Sequence, residues 1–447
     1  MSYLTDICDD LATKELTQIP DTAVKAAKMA LVDYFGVAIA GSQHPDTQRI
    51  TTLAAVKNRT GDSAVLGTSL RATPEYAALH NGTAAHAYDH DDFSIIAHPT
   101  APVAPAAFAV AESRGRSGQD ALRAYLLAGE IMFRIGRRCL PYTSDQGWHT
   151  TGVFGALGAS VAAGIAAQLP TAQVAAALGI AASEASGLRG NFGSPVKAYH
   201  CGMAARAGIL SAELAEVGMH PSSTIIEGVD GYLQLFGGLA PETVTYSPDE
   251  TWSILDPGIH TKRYACCSSM APAIDALLES DEVANLDPEN IVTIDVGQSP
   301  WSYKELVYPM PSSAAETKFS MQYAVASALI FRGATLEVFN DEAYLQHPSV
   351  RPLMQRVRTY VDTEFARRDF TADAPVRINI TLQDGGTIQL TRDFAKGNTR
   401  NPLSEDEVHQ KFLTLAAPRL GSERADRLLN GLMRIEDIEN LSDLTRM

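Results

Sequence analysis

The densest run of reactive side chains in the sequence is His80-Asn81-Gly82-Thr83-Ala84-Ala85-His86-Ala87-Tyr88-Asp89-His90-Asp91-Asp92, with His98-Pro99 close behind. Three carboxylates and four imidazoles between positions 80 and 98 are costly to gather unless they serve one another or a ligand. His86 and His90 stand four apart, so on a helix they could share a face and, with Asp91, hold a metal. The same residues could form only a helix cap and a solvated acidic turn. A third reading is a metal-free acid–base site in which Asp89 orients or charges a histidine such as His98.

Two further segments carry the same kind of chemistry. In Gly147-Trp148-His149-Thr150-Thr151-Gly152, His149 precedes a small-residue helix whose free N–H groups would face an anion. Asn191 to Gly202 is a Gly- and Pro-punctuated loop leading to a helix from Met203. It sets Lys197 among apolar neighbours, where an ammonium would serve a carboxylate. Lys262-Arg263, at a change of sequence texture, would add positive charge to a cleft between domains.

The elements that must hold these groups follow from periodicity. Asp21 to Phe35 follows Pro20 and puts Val24, Ala27, Leu31 and Phe35 on one face; helix then follows helix through residue 255. Small residues dominate between Gly152 and Gly187, so helices there can approach closely and form the centre of an all-helical domain. Gly152, Gly155 and Gly158 follow no strand and make no dinucleotide fingerprint. Thr150 to Leu169 is uncharged, but its Ala and Gly content and its end at Pro170 predict a buried helix rather than a membrane span.

After Asp256-Pro257-Gly258 the pattern changes. Ile291 to Val296 alternates like a strand. Val376, Ile378, Ile380 and Leu382 alternate into Asp384-Gly385-Gly386, and Ile388 and Leu390 alternate out, which predicts a hairpin. Helical stretches at Pro272 to Leu278 and Phe319 to Phe331 accompany them, so this part reads as α+β with an antiparallel sheet. Ser404 and Glu407 form a capping box before a last helix from Val408 to Leu415. The chain is thus expected to be mainly α: a large helical domain over 1–257 and 395–447, with a smaller α+β domain over 258–394 inserted.

Bulk properties narrow the classes. A chain of 447 residues suggests two domains, and 45% apolar with 20% charged residues is the balance of a soluble globular protein. A net charge of −16 repels phosphate, which argues against a nucleic-acid or anionic-membrane partner but not against a small anion in a locally basic pocket. Five cysteines (Cys8, Cys139, Cys201, Cys266, Cys267) without a CxxC read as reduced thiols, hence a cytoplasmic protein. The N-terminus carries Asp6, Asp9 and Asp10 and no basic stretch, so no signal peptide is expected.

The segments NGTAAHAYDHDD, GWHTTGVFGALGA, LGIAASEASGLRGNFGSPVKAYHCGMAARAG, YPMPSSAAETKFSMQYAVASAL and GNTRNPLSEDEVHQKF occur in this order. Through them the chain resembles the MmgE/PrpD family over nearly its full length. The resemblance implies a large helical domain completed by the C-terminus, an α+β lid, a homodimer, and no cofactor or required metal. It places Asp89, His98, His149, Lys197 and Lys262 at active-site positions, with Tyr308 a further catalytic member and His200 and Cys267 at the substrate. On this basis His86 and His90 become structural polar partners. The family holds 2-methylcitrate dehydratase, cis-aconitate decarboxylase and iminodisuccinate epimerase, all of which act beside a carboxylate. The departures are Phe93 after the acidic run, Tyr199 before His200, and Cys266-Cys267 where the decarboxylases have a histidine-bearing segment.

The implied chemistry is removal of a proton alpha to a carboxylate of a small di- or tricarboxylic acid. His98, supported by Asp89, would act as the acid–base group, Lys197, Lys262 and His149 would bind carboxylates, and Tyr308 would donate a proton from the opposite face. Dehydration of a 2-methylcitrate-like acid is the expected outcome, followed by epimerisation of an iminodisuccinate-like acid and then cis-aconitate-type decarboxylation. A metal-dependent hydrolase built on His86, His90 and Asp91, and a non-catalytic carboxylate-binding protein, are the readings from other classes.

Overall fold

Ten helices carry the chain from its start to residue 216: α1 (Tyr3–Leu11), α2 (Asp21–Gly41), α3 (Pro45–Lys57), α4 (Pro74–Ala87), α5 (Thr100–Ser113), α6 (Gly118–Cys139), α7 (Tyr142–Asp145), α8 (Thr150–Ala166), α9 (Thr171–Glu184) and α10 (Val196–Glu216). The computed structural model describes residues 2–57, 61–241, 244–248, 251–367 and 373–445. Local signals start several of these helices. Pro74 opens α4 at a position where its missing N–H costs nothing, and Ser117 with Asp120 forms a capping box on α6.

Helix α10 crosses both α4 and α8 with backbones almost in contact, and small residues allow it. A Cβ on Gly202 of α10 would lie 2.1 Å from the Leu79 carbonyl oxygen of α4, and one on Gly208 would lie 2.5 Å from Ala159 of α8. Every residue of α8 from Thr151 to Ala166 is buried, as expected for an uncharged central helix. Helix α10 begins at Val196 rather than near Met203, so Lys197 belongs to its first turn instead of to a loop. Pro195 sits immediately before that turn, where proline is tolerated, and Gly193 takes a positive φ of 82° just upstream.

A two-stranded ladder of β1 (Ser63–Ala64) and β2 (Arg71–Ala72) interrupts the otherwise helical first part. The main sheet has four strands, β3 (Ile291–Gln298), β4 (Val357–Val361), β5 (Val376–Leu382) and β6 (Thr387–Arg392), in the order β4-β3-β5-β6. The β5–β6 hairpin turns where the sequence places it. The sheet is mixed rather than antiparallel, because β4 lies parallel to β3, with Ile294 opposite Val357. That edge strand buries only Val357, so it carries no alternation to announce it.

Two hydrophobic cores result. One gathers buried residues from Tyr3 to Leu233 and again from Val408 to Leu444; the other gathers those from Tyr264 to Ile388. The Ser404–Glu407 capping box opens a helix spanning Glu405–Leu420, which packs on α2: a Cβ on Gly36 would lie 3.1 Å from the Phe412 Cα. Between the cores, Phe93 and His260 exchange backbone hydrogen bonds of 3.0 and 2.8 Å. This bridge holds the 260–263 segment against the stretch that follows α4. No helix among the described residues is long and apolar enough to cross a membrane.

Candidate active site

The close crossing of α4, α8 and α10 gathers one end of each helix at a single cavity. Its wall includes Asp89, His98, His149, Thr151, Lys197, Lys262 and Cys267, and its empty volume, counted to the open mouth, is about 740 Å³. Thr150 and Thr151 also line it, so the first turn of α8 points its unpaired N–H groups and positive dipole end toward this space.

Helix α4 stops at Ala87, and Asp89 takes a left-handed φ of 54°, which turns the chain sharply out of the helix. His86 and His90 therefore do not share a helical face, contrary to the metal-pair expectation. His90 Nε2 lies 3.3 Å from the Arg263 carbonyl oxygen, away from the other imidazoles. His86 instead directs Nδ1 at Asp91, 2.9 Å away, and Nε2 at Lys197 Nζ, 2.7 Å away. Lys318 donates to the Ala87 carbonyl at 3.0 Å, satisfying an orphan acceptor at the helix end. Burial foremost brings that ammonium down to about 8.

Protonation follows from these contacts. Burial pushes His86 down to about 3, further than Asp91 can raise it, so the ring is neutral. It then donates from Nδ1 to Asp91 and accepts at Nε2 from the Lys197 ammonium. Asp89 accepts from Lys262 at 2.6 Å and forms an ion pair with Lys197 at 3.1 Å. Burial works against its charge, but the two ammonium groups outweigh burial and hold Asp89 well below the usual carboxylate range. Lys262 is likewise held above its ordinary value, because Asp89 and Asp91 overcome the cost of its burial.

His98 sits at the cavity wall between two carboxylates. Its Nδ1 is 3.1 Å from Asp91 Oδ2, and its Nε2 is 4.0 Å from Asp89 Oδ1. Asp89 is thus beside His98 as expected, but the nearer partner is Asp91, because Asp89 also holds the two lysines. Burial raises Asp91, yet the His86 and His98 rings beside it keep it a carboxylate. Asp92 is the opposite case. Buried, bonded by Thr100 and with Asp33 and Asp91 near, its carboxyl is pushed well up.

His149 lines the cavity as a neutral ring, since burial and then Lys197 push it well down. His200 is not among the lining residues. It stands behind His149, with the two Nδ1 atoms 2.9 Å apart, so it orients that ring rather than meeting the cavity. Tyr308 is also turned away. Its hydroxyl donates to the Phe192 carbonyl at 2.9 Å and lies over Gly193, and Tyr308 is not among the residues lining the cavity. Cys267 does line the wall, and all five cysteines are free and buried.

Sequence reasoning paired His86 with His90 rather than with Lys197, and it missed Asp91 as the partner of His98. Asp91 follows a turn whose angle depends on the unusual φ of Asp89, which residue spacing does not announce. One ligand atom each from His86, Asp89, Asp91 and His98 lie within 4.8 Å of one another, a grouping a cation could use. Two ammonium groups already serve Asp89 there, and a divalent ion would stand beside them at a repulsive distance.

The MmgE/PrpD N-terminal domain profile matches residues 5–243 and the MmgE/PrpD C-terminal domain profile matches residues 264–435. The chain belongs to the MmgE/PrpD family, and it is an enzyme of the lyase or isomerase kind that this family comprises. Among curated proteins it is similar to cis-aconitate decarboxylase of Homo sapiens, 26% identical over 99% of this chain and 95% of that one. The enzymes of the same name from Mus musculus (25%, covering 97% and 90%) and Aspergillus terreus (26%, covering 98% and 95%) are similar to the same degree.

Proposed function

We propose that the enzyme removes a proton alpha to a carboxylate of a small di- or tricarboxylic acid, and that His98 is the base. The observation that carries this is the pair Lys197 and Lys262, both fixed on Asp89 at the wall that also bears His98. Breaking the C–H bond leaves an electron pair on the α-carbon, and the resulting enolate carries a second negative charge on the carboxylate. Two fixed ammonium groups, the neutral His149 ring and the N–H groups of Thr150 and Thr151 surround the space where that charge would develop. His98 Nδ1 lies 3.1 Å from Asp91 Oδ2; with the ring proton held on that side, the Nε2 lone pair would be free to take the proton from the substrate.

From that enolate, loss of a β-hydroxide gives an alkene and return of the proton to the other face gives an epimer; in decarboxylation the C–C bond breaks instead, CO₂ leaves, and its bonding pair forms the enolate, which then takes up a proton. We favour dehydration of a 2-methylcitrate-like acid, with epimerisation of an iminodisuccinate-like acid next. The names of the relatives support a tricarboxylate-sized substrate, and the free, buried thiols support a reducing compartment such as the cytoplasm. The family reading adds a homodimer. The test is a panel of small polycarboxylates incubated in D₂O and followed by NMR. A new alkene indicates dehydration, deuterium in an intact skeleton indicates epimerisation, and evolved CO₂ indicates decarboxylation. Absence of exchange with every member would overturn the proposal.

A further inference from the structure

The cavity wall also carries a carboxylate that the chemistry above does not use. Glu305 lines it together with Cys267, Ser268, Ser269 and Trp301. Ser269 Oγ donates to Glu305 Oε2 at 2.7 Å, and Cys267 Sγ donates to the same oxygen at 3.7 Å. The thiol is able to donate because burial, reinforced by the Glu305 charge, keeps it protonated. Two donors on one oxygen fix the side chain, while Oε1 takes no hydrogen bond among the described residues.

An acidic group is out of place in a pocket built only for carboxylates. The charged residues of the wall are Lys197 and Lys262 against Asp89 and Glu305, so their formal charges cancel. The lysine pair, the α8 N-terminus and the neutral His149 ring can receive carboxylates. A carboxylate placed at Glu305 would meet like charge with no cation between them. A hydroxyl or ammonium group placed there would instead donate to the open Oε1, a hydrogen bond strengthened by the charge on its acceptor. We infer that Glu305 is a specificity-determining residue that accepts a hydrogen bond from the substrate. The substrate class is therefore a di- or tricarboxylate bearing a hydroxyl or amino group, rather than one bearing carboxylates alone. This rests on the polycarboxylate reading and narrows it.

Citrate and tricarballylate share a skeleton and differ by one hydroxyl; aspartate and succinate differ by one ammonium. Affinities for the four acids are measured by calorimetry on the full-length protein and on its Glu305→Gln and Glu305→Ala variants, with thermal melting to check that each variant is folded. The wild type is expected to bind one donor-bearing acid about tenfold tighter than its partner, the factor that one charged hydrogen bond of about 1.4 kcal/mol provides. Which pair shows the gap identifies the donor as hydroxyl or ammonium. Glu305→Gln, which removes only the charge, should raise the affinity for tricarballylate or succinate, and Glu305→Ala should close the gap. Equal affinity within both pairs, or a gap that survives both substitutions, overturns the assignment to Glu305 while leaving the polycarboxylate reading intact. Binding of none of the four acids overturns both.

Discussion

Lys197 Nζ lies 2.7 Å from His86 Nε2, an ammonium donating to a buried neutral imidazole. The contact is one link in an alternating series. Asp91 accepts from His86, His86 accepts from Lys197, and Asp89 accepts from Lys262 and pairs with Lys197. Each group is ordered by the next, so the two ammonium groups are aimed before any substrate arrives. Such prior orientation makes the donors effective at a developing charge, because they need not reorganise as it forms.

Replacing Lys197 tests that link. Lys197→Met should lower the rate of α-proton exchange by about 10²–10³-fold, the usual loss when one donor to a developing oxyanion is removed. Lys197→Arg should not rescue it. A planar guanidinium cannot occupy a slot only 2.7 Å from His86 and 3.1 Å from Asp89. Deuterium incorporation measured by NMR reads both variants, and an exchange rate equal to that of the wild type would show that Lys197 is a bystander.

Asp91 and Lys262 should separate in kinetics. Lys262 lines the cavity, whereas Asp91 lies behind it and touches His86 and His98. Asp91→Asn is therefore expected to lower kcat by about 10²-fold or more with little change in KM, since it disturbs the base and not the binding of carboxylate. Lys262→Ala should raise KM as well as lower kcat. Steady-state kinetics on the two variants decide this, and identical effects on KM would contradict the placement.

The helical texture, the β5–β6 hairpin and the capping box at Ser404 were legible because each rests on neighbours in sequence. Grouping of Asp89, His98, His149, Lys197 and Lys262 at one wall was legible only through family resemblance; no spacing rule joins residue 89 to residue 262. What escaped depended on three-dimensional detail. The turn at Asp89 separates His86 from His90 and brings Asp91 under His98, and a single positive φ accounts for it. Tyr308 and His200 lie close in sequence to cavity residues yet face a backbone carbonyl and a second imidazole. Glu305 carries no signal in the sequence, and only its position beside Cys267 and Ser269 marks it out.

The crossing of α4 and α10 should be intolerant of even one methyl group. Gly202→Ala would set a Cβ 2.1 Å from the Leu79 carbonyl oxygen and 2.4 Å from Thr83 Oγ1, so the helices must part. The expected cost is about 1–3 kcal/mol of stability, typical of overpacking. Because Lys197 is on the first turn of α10, activity should fall along with stability. Denaturant unfolding monitored by circular dichroism checks the first effect, and unchanged stability would mean that the helices cross less closely than described.

Stability should fall as the medium is acidified, in two stages of known sign. Burial foremost holds His80 at about 4 and His86 at about 3, both fully buried, against an ordinary value of 6.5 in the unfolded chain. Below pH 6.5 the unfolded state takes up protons that the folded state refuses, so stability is lost as pH falls from 6.5 toward 4. Each such histidine contributes a slope of up to about 1.4 kcal/mol per pH unit. Asp89 and Asp91 act in a lower window. Their depressed values stabilise the fold above the ordinary 3.8, and that stability is lost as pH drops through and below it. Urea midpoints measured from pH 8 to pH 4 should therefore decline beginning near 6.5, above the window in which Asp89 and Asp91 act. His80→Leu, which removes one buried imidazole outside the cavity, should make the decline shallower, whereas an equal slope in wild type and variant would remove His80 from this account.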